Sequence, residues 1–381
     1  GSTLIPAMEK NGYTRKFAAA ITAASSVIGP IIPPSGIMII YAYVMGESVA
    51  ALFLAGIVPG ILVGIGLMLM VRVLADRYAL PKAERIVQKN QSLTSIEYWL
   101  SYVIIRINLA MLLSALISLL SSIFFTIFDI PVLRNTWIIA LLALPVIHIF
   151  LLKLRSQVSK DFRYVCKRAV VPLQTPIIIL GGILLGVFTP TEAASIAVAY
   201  AFIISFFVLK TIKLNDLPSI LTKAALGSSA VLLLIGGAMA FKVVVSLSHA
   251  PEQLATFVLN LSENPLILLF LINILLFIVG MFLDAGPAII ILGPILAPVF
   301  IDMGVHPVHF AIIMSVNLTV GLATPPMGLV LFVASSVSGE RVETIAKAIL
   351  PFLAVEVAII FLITYIPALS MTLPRLTGFV Q

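Results

Sequence analysis

The chain has 381 residues, of which 61% are hydrophobic and 10% charged, and its mean hydropathy is +1.18. Soluble domains are about a quarter charged, so the composition excludes an ordinary soluble enzyme and defines an all-α polytopic membrane protein. The net charge of +7 does not indicate nucleic acid, because Lys and Arg sit in short segments between apolar spans, as the positive-inside rule requires. The one cysteine, Cys166, lies among Arg163, Lys167 and Arg168, which rules out an intrachain disulfide and a metal cluster built around it.

In chain order, Phe17 to Met45 is long enough to span a bilayer but is interrupted at Pro30 to Gly36, so it reads as two half-helices. Val49 to Leu74 is a second span, with a bend expected at Pro59-Gly60. A basic connector follows, holding Arg72, Arg77, Lys82, Arg85 and Lys89 against Asp76 and Glu84. Ser101 to Phe128 and Trp137 to Leu152 are two further spans joined by a turn at Asp129 to Asn135. Arg106 and His148 lie near span ends, where a snorkelling arginine and a packed or interfacial histidine are expected. A second basic connector, Lys153 to Arg168, is separated from the first by an even number of crossings, which predicts both on the cytoplasmic side and Asp129 to Asn135 on the other. Pro172 to Phe188 and Ala193 to Leu209 are spans joined by T-P-T-E, in which Thr189 or Thr191 can cap a helix and Glu192 favours its N-terminus.

Ile220 to Ser248 carries Gly236-Gly237, a hinge or close-contact signal, and Pro265 to Gly280 is the next span. Met281 to Phe300 carries Gly and Pro at its start and middle and reads as a re-entrant hairpin. Asp284 sits at its tip as a half-helix N-cap, an ion ligand, or both. Val308 to Val337 is a second broken helix, and Ile345 to Leu369 is the last span.

The two broken helices are copies of one unit. Gly29, Pro33, Pro34 and Gly36 recur as Gly321, Pro325, Pro326 and Gly328, always 292 residues on, and the same offset relates Gly12 to Gly304 and Pro59 to Pro351. Pro-Pro inside an apolar run frees backbone groups that hydrocarbon tolerates only when they are buried or line a cavity. Two such breaks in register point to a transporter's ion and substrate site rather than to packing kinks. G-x-S-x-G, H-E-x-x-H and the phosphate-cradling P-loop are all absent, so the sequence offers no enzyme and no cofactor site. Energy for transport must come from an ion gradient or another subunit.

G-G-I-L-L-G-V-F-T-P-T-E-A-A (Gly181 to Ala194), G-M-F-L-D (Gly280 to Asp284), N-L-T-V-G-L-A-T-P-P-M-G (Asn317 to Gly328) and I-T-Y-I-P-A-L-S resemble the large membrane subunit of tripartite ATP-independent periplasmic (TRAP) transporters. So do Ile5 to Tyr13, Ile28 to Ser35 and Phe53 to Gly60 in the first copy. The resemblance implies elevator-type, sodium-coupled import of a small organic anion, such as a dicarboxylate or an acidic sugar, across the bacterial inner membrane. It also implies two partners, a periplasmic binding protein and a small four-helix membrane subunit.

Three regions are expected: 1–92, a first repeat truncated at its N-terminus; 93–168, an inserted pair of helices with basic flanks; and 169–381, the second repeat. A hairpin matching Asp284 would precede residue 1, which implies about a hundred upstream residues. The expected sodium ligands are Ser25, Ser26, Asn317, Thr319 and Thr324 with nearby backbone carbonyls; Gly29, Pro33, Pro34, Gly286, Gly321, Pro325, Pro326 and Gly328 shape the backbone. The anion is expected at the half-helix N-termini of Ser35-Gly36 and Met327-Gly328, beside Asp284. Two alternatives are a related sodium/anion symporter without a binding protein and a membrane scaffold subunit that carries nothing.

Overall fold

The computed structural model describes residues 1–81, 93–128, 136–248, 253 and 264–380. Among them are helices and no strands. The first repeat gives α1 (Leu4–Lys10), α2 (Arg15–Ser26), the single turn α3 (Ile28–Ile31), α4 (Gly36–Met45) and α5 (Val49–Leu74). The middle of the chain gives α6 (Ser95–Phe128), α7 (Thr136–Gln157), α8 (Lys160–Leu184), α9 (Pro190–Ile203) with a π turn at Ile204–Val208, and α10 (Leu217–Leu247). The second repeat gives α11 (Pro265–Phe282), α12 (Ala285–Asp302), α13 (Pro307–Gly321), α14 (Leu329–Ser338), α15 (Val342–Tyr365) and α16 (Ala368–Leu376). Among the described residues eight helices are long and apolar enough to cross a membrane, and the bent pair around the first break makes a ninth.

The repeat is visible in the backbone. Pro33-Pro34 and Pro325-Pro326 are both cis, and Gly12 and Gly304 both take left-handed φ, +88° and +91°. Only glycine adopts that conformation without steric cost, which is why both copies place it after a helix end. The copies pack reciprocally: α2 of the first lies on α15 of the second, and α13 of the second lies on α5 of the first.

Packing divides the chain into two compact units, Gly1–Ala83 with Ala225–Gln381, and Glu84–Ala224. The division groups α8 and α9 with the preceding helix pair, a partition by contact rather than by repeat. In the first unit α11 packs along α13, and α12 lies against α4 and α13. Its interior holds stacked Phe300 and Phe310, 5.1 Å apart, and the edge-on pair Phe17 and Phe352, 5.9 Å apart. In the second unit α6 packs on α7 and α8, and α8 on α9. Small residues Ala110, Ala140 and Ala143 let α6 and α7 approach. Outward side chains such as Leu142 and Val198 stay exposed, the arrangement of helices bathed in lipid rather than water.

Helix starts follow capping chemistry. Ser48 accepts from Ala51 N at 3.3 Å, Asn264 from Leu266 N at 2.9 Å, and Thr189 with Glu192 forms a reciprocal capping box.

Two sequence expectations change, those for the second basic connector and for the arm beyond the hairpin tip. Lys153 to Arg168 is not a loop: α7 runs to Gln157 and α8 restarts at Lys160, with Ser159 as its cap. α5 runs on through Pro59-Gly60, where a bend is expected, and the missing Cβ of Gly60 admits Ile32 of the first break. The hairpin tip falls at Leu283-Asp284 as read, but the arm beyond it is one 18-residue helix running through Pro294 and Pro298. Arg106 has partners of its own within the helix pair. Its guanidinium lies 3.3 Å from the Tyr102 ring centroid, with Nη1 donating to Tyr102 O at 2.9 Å and Nε to His148 Nδ1 at 3.2 Å. Lys82, Glu84, Arg85, Lys89 and the Asp129 to Asn135 turn lie outside the described residues.

Candidate functional site

At the first break, Ile32 turns to extended backbone after α3, and α4 restarts at Gly36 under a Ser35 cap. The Ser35 hydroxyl accepts from Met38 N at 3.2 Å and donates to the Pro30 carbonyl, so one side chain clasps both ends of the gap. Beside it is a cavity of about 460 Å³ lined by Gly29, Pro30, Gly36, Ile37, Ile40, Asp284, Gly286, Pro287 and Ile290. A Cβ on Gly29 or Gly36 would meet nothing within 4 Å, so both glycines leave backbone open to this space. Asp284 caps α12 through its own next amide, Oδ1 accepting from Ala285 N at 2.7 Å. The two readings of Asp284 therefore meet in one residue, a cap whose exposed carboxylate faces a cavity.

The second break closes differently. Gly328 N donates to Thr324 O and Val330 N to Leu322 O, both at 3.0 Å, and the Thr324 hydroxyl donates to Val320 O at 2.9 Å. A Cβ on Gly328 would come within 2.7 Å of Thr324 O, and one on Gly321 within 2.6 Å of Gly280 Cα. Gly280 of α11 and Gly321 of α13 thus bring two backbones into contact. A second cavity of about 390 Å³ lies against this copy, bordered by Thr22, Ser26, Asp284, Leu322 and Val330 among others.

The residues expected at the site therefore separate. Gly29, Gly36, Asp284 and Gly286 share the first cavity, and Ser26 and Asp284 share the second. Pro33, Pro34, Gly321, Pro325, Pro326 and Gly328 form the breaks themselves and line neither cavity. The expected oxygen donors are engaged within their helices: Ser25 bonds Thr22 O at 3.2 Å, Ser26 bonds Ala23 O at 2.7 Å and Thr319 bonds Ser315 O at 2.6 Å.

Asn317 belongs to a buried polar cluster. Its amide donates to Asn273 Oδ1 of α11 at 2.6 Å and to Ile313 O at 2.8 Å. The Thr364 hydroxyl of α15 reaches the same Asn273 Oδ1 at 3.1 Å. His309 extends the cluster, with Nε2 3.2 Å from the Thr364 carbonyl and Nδ1 2.7 Å from the Ser370 hydroxyl. A carbonyl only accepts, so Nε2 carries a proton toward Thr364, while the Ser370 hydroxyl lies between Nδ1 and the Pro367 carbonyl, 3.1 Å away. Asn273 and His309 escaped sequence reading as single polar residues in apolar runs, and Thr364 and Ser370 are read only as part of the I-T-Y-I-P-A-L-S motif, with no role at the site. Glu356, fully buried in α15 with neither carboxylate oxygen bonded, also escaped it. Its only sequence signal was a carboxylate inside a span, which marks function by default because burying an unpaired charge is costly.

Two groups outside the spans have shifted acidities. Burial raises the Glu47 carboxyl, and burial followed by the nearby Arg375 lowers His306, whose Nδ1 accepts from Val308 N at 3.2 Å to cap α13.

A multi-span helical bundle with two glycine-proline breaks and a shared carboxylate is the architecture of a secondary transporter. The family profile described as "Tripartite ATP-independent periplasmic transporter, DctM component" matches residues 1–144 and 135–369. The chain is 31% identical over 378 residues to the C4-dicarboxylate TRAP transporter large permease protein DctM of Pseudomonas aeruginosa, covering 99% of this chain and 72% of that one. It is 31% identical over 379 residues to the sialic acid TRAP transporter large permease protein SiaM of Vibrio cholerae, covering 99% and 71%. It is 33% identical over 371 residues to the isethionate TRAP transporter permease protein DctMQ of Oleidesulfovibrio alaskensis, covering 97% of this chain and 47% of that longer one. The chain belongs to the DctM family of TRAP transporter large permeases, multi-pass inner-membrane transport proteins rather than enzymes.

Proposed function

We propose that this permease carries out sodium-coupled uptake of a small organic anion, delivered by a periplasmic binding protein and supported by a small four-helix membrane subunit. The relatives are named for a C4-dicarboxylate, sialic acid and isethionate, all of them small anions. The reading rests on the first cavity, where the amide end of α4 at Gly36 and the carboxylate of Asp284 border one space. The helix N-terminus favours an anion. Asp284 repels it unless a cation lies between, because like charges a few ångströms apart in a partly dry site interact by several kcal/mol. Sodium against Asp284 would make anion binding conditional on the ion, which is coupling in thermodynamic terms.

Uptake into proteoliposomes containing the assembled transporter, with radiolabelled succinate or sialic acid, tests this. Imposing an inward sodium gradient should drive accumulation, and Asp284→Asn should flatten the sodium dependence. Accumulation that ignores the sodium gradient would remove the coupling, and Asp284→Asn with an unchanged sodium curve would remove this cavity as its seat.

A further inference from the structure

The largest of the cavities described here, about 820 Å³, lies in the unit Glu84–Ala224, between the start of α6, the end of α7 and the start of α8. Five cations line it, Arg106, Arg155, Lys160, Arg163 and Lys167, and none of its lining residues is an acid. Two of the five are held over aromatic rings, Lys167 Nζ 3.5 Å from the Tyr98 centroid and Arg106 over Tyr102. Such stacking fixes a cation in position without neutralising it. The Nε of Arg163, a lining residue, is buried and has no hydrogen-bond partner. A buried donor of that kind is costly to leave unmet.

Four of the five charges sit near helix ends, and the fifth, Arg106, follows Ile105 along α6. Arg155 is within three residues of the α7 end, and Lys160, Arg163 and Lys167 occupy the first two turns of α8. Away from those ends the lining includes Ile105 of α6, Leu151 of α7 and Leu173 of α8. A small dicarboxylate would use the charged mouth and leave the apolar part empty. A molecule with an anionic head and a hydrocarbon tail fills both, and a bilayer supplies it at the depth where basic residues flank helix ends.

We propose that this cavity binds an anionic phospholipid, with its phosphate held by Arg163 and Lys167 and an acyl chain lying along Ile105, Leu151 and Leu173. The site is independent of the transport cavity and makes no use of sodium.

The test uses the whole chain in a neutral detergent, with native mass spectrometry to count bound dioleoyl phosphatidylglycerol against dioleoyl phosphatidylcholine. Phosphatidylglycerol should be retained preferentially. Arg163→Gln and Lys167→Gln should each weaken retention about fivefold, the worth of one basic residue at an anionic surface, and Lys167→Arg should retain it. Millimolar inorganic phosphate or succinate should not displace the lipid. Equal retention by wild type and the double Gln variant overturns the proposal, as does phosphatidylcholine retained as well as phosphatidylglycerol. Displacement by phosphate or succinate also overturns it, in favour of a small-anion site. Loss in Lys167→Arg as well as Lys167→Gln would overturn it too, because a packing role rather than charge would then be at work.

Discussion

The two Pro-Pro breaks share sequence, spacing and cis geometry, yet they are built to opposite ends. In the first, Gly29 and Gly36 face open space and Ser35 clasps the gap with its side chain. In the second, Gly321 and Gly328 are pressed against backbone and the gap is closed by main-chain bonds. Glycine does two jobs at equivalent positions, leaving backbone bare in one copy and letting helices touch in the other. Duplication supplied one local structure, and divergence of its surroundings left the glycines of one copy bare beside a cavity and pressed those of the other into a backbone joint.

The contrast is broken most strongly by adding a methyl group. Gly321→Ala should destabilise the chain by about 3 kcal/mol or more, since its Cβ would lie 2.6 Å from Gly280 Cα and two backbones cannot both yield. Differential scanning fluorimetry in detergent should show a clear fall in melting temperature, and an unchanged melt would mean the α11 and α13 contact is looser than described. The polar cluster beside the same joint comes next. Asn273→Ala should cost about 1–3 kcal/mol by stranding the Asn317 amide, whereas loss of no more than the residue's own packing would show that Asn317 finds another acceptor.

Ser35→Ala should cost about 1 kcal/mol, the usual worth of an N-cap. Thr324→Ala, at the joint closed by main chain, should cost less, and the reverse order would contradict the assignment of the side-chain clasp to the first copy. Gly29→Ala and Gly36→Ala should leave the melt within about 0.5 kcal/mol while slowing uptake, because the new methyl groups enter the cavity. Uptake at wild-type rate would detach that cavity from transport.

The smallest effect sharpens the comparison by pH. Position 306 corresponds to Thr14 in the first copy, which makes no side-chain cap, whereas His306 caps α13 with a neutral ring. Its pKa is lowered in the fold, so the unfolded chain binds the proton more readily. Stability from this group is fully present above about pH 6.5, the free-histidine value, and is lost as pH falls through it toward the lower folded value. His306→Asn keeps a cap and should flatten that acid slope between pH 7 and 5; an identical slope in both proteins would place the titration elsewhere.

What could be read in advance follows from chemistry that is local. Gly12, Gly304 and the two Pro pairs announce themselves because their backbone demands are their own, so the repeat and its breaks were legible residue by residue. The Asn317 partners were not, since Asn273 lies 44 residues earlier in the chain and Thr364 is a further 91 from Asn273. Asn317, Thr319 and Thr324 read as ion ligands from composition, yet each hydroxyl or amide bonds a carbonyl four residues back, an option any polar side chain in a helix has. The Lys153 to Arg168 segment misled through its charge. Ser159 followed by Asp161, with Phe162, Val165 and Ala169 at helical spacing, already held the signature of a capped amphipathic helix.

Asp284 borders both of the cavities described at the two breaks, like a single terminal wired into two circuits. A cation that settles against it from either side changes the charge felt on the other, and the reciprocity of linked equilibria makes the effect equal in both directions. If a cation binds there, occupancy on the side of Gly36 would be felt on the side of Ser26 and Leu322 through charge alone.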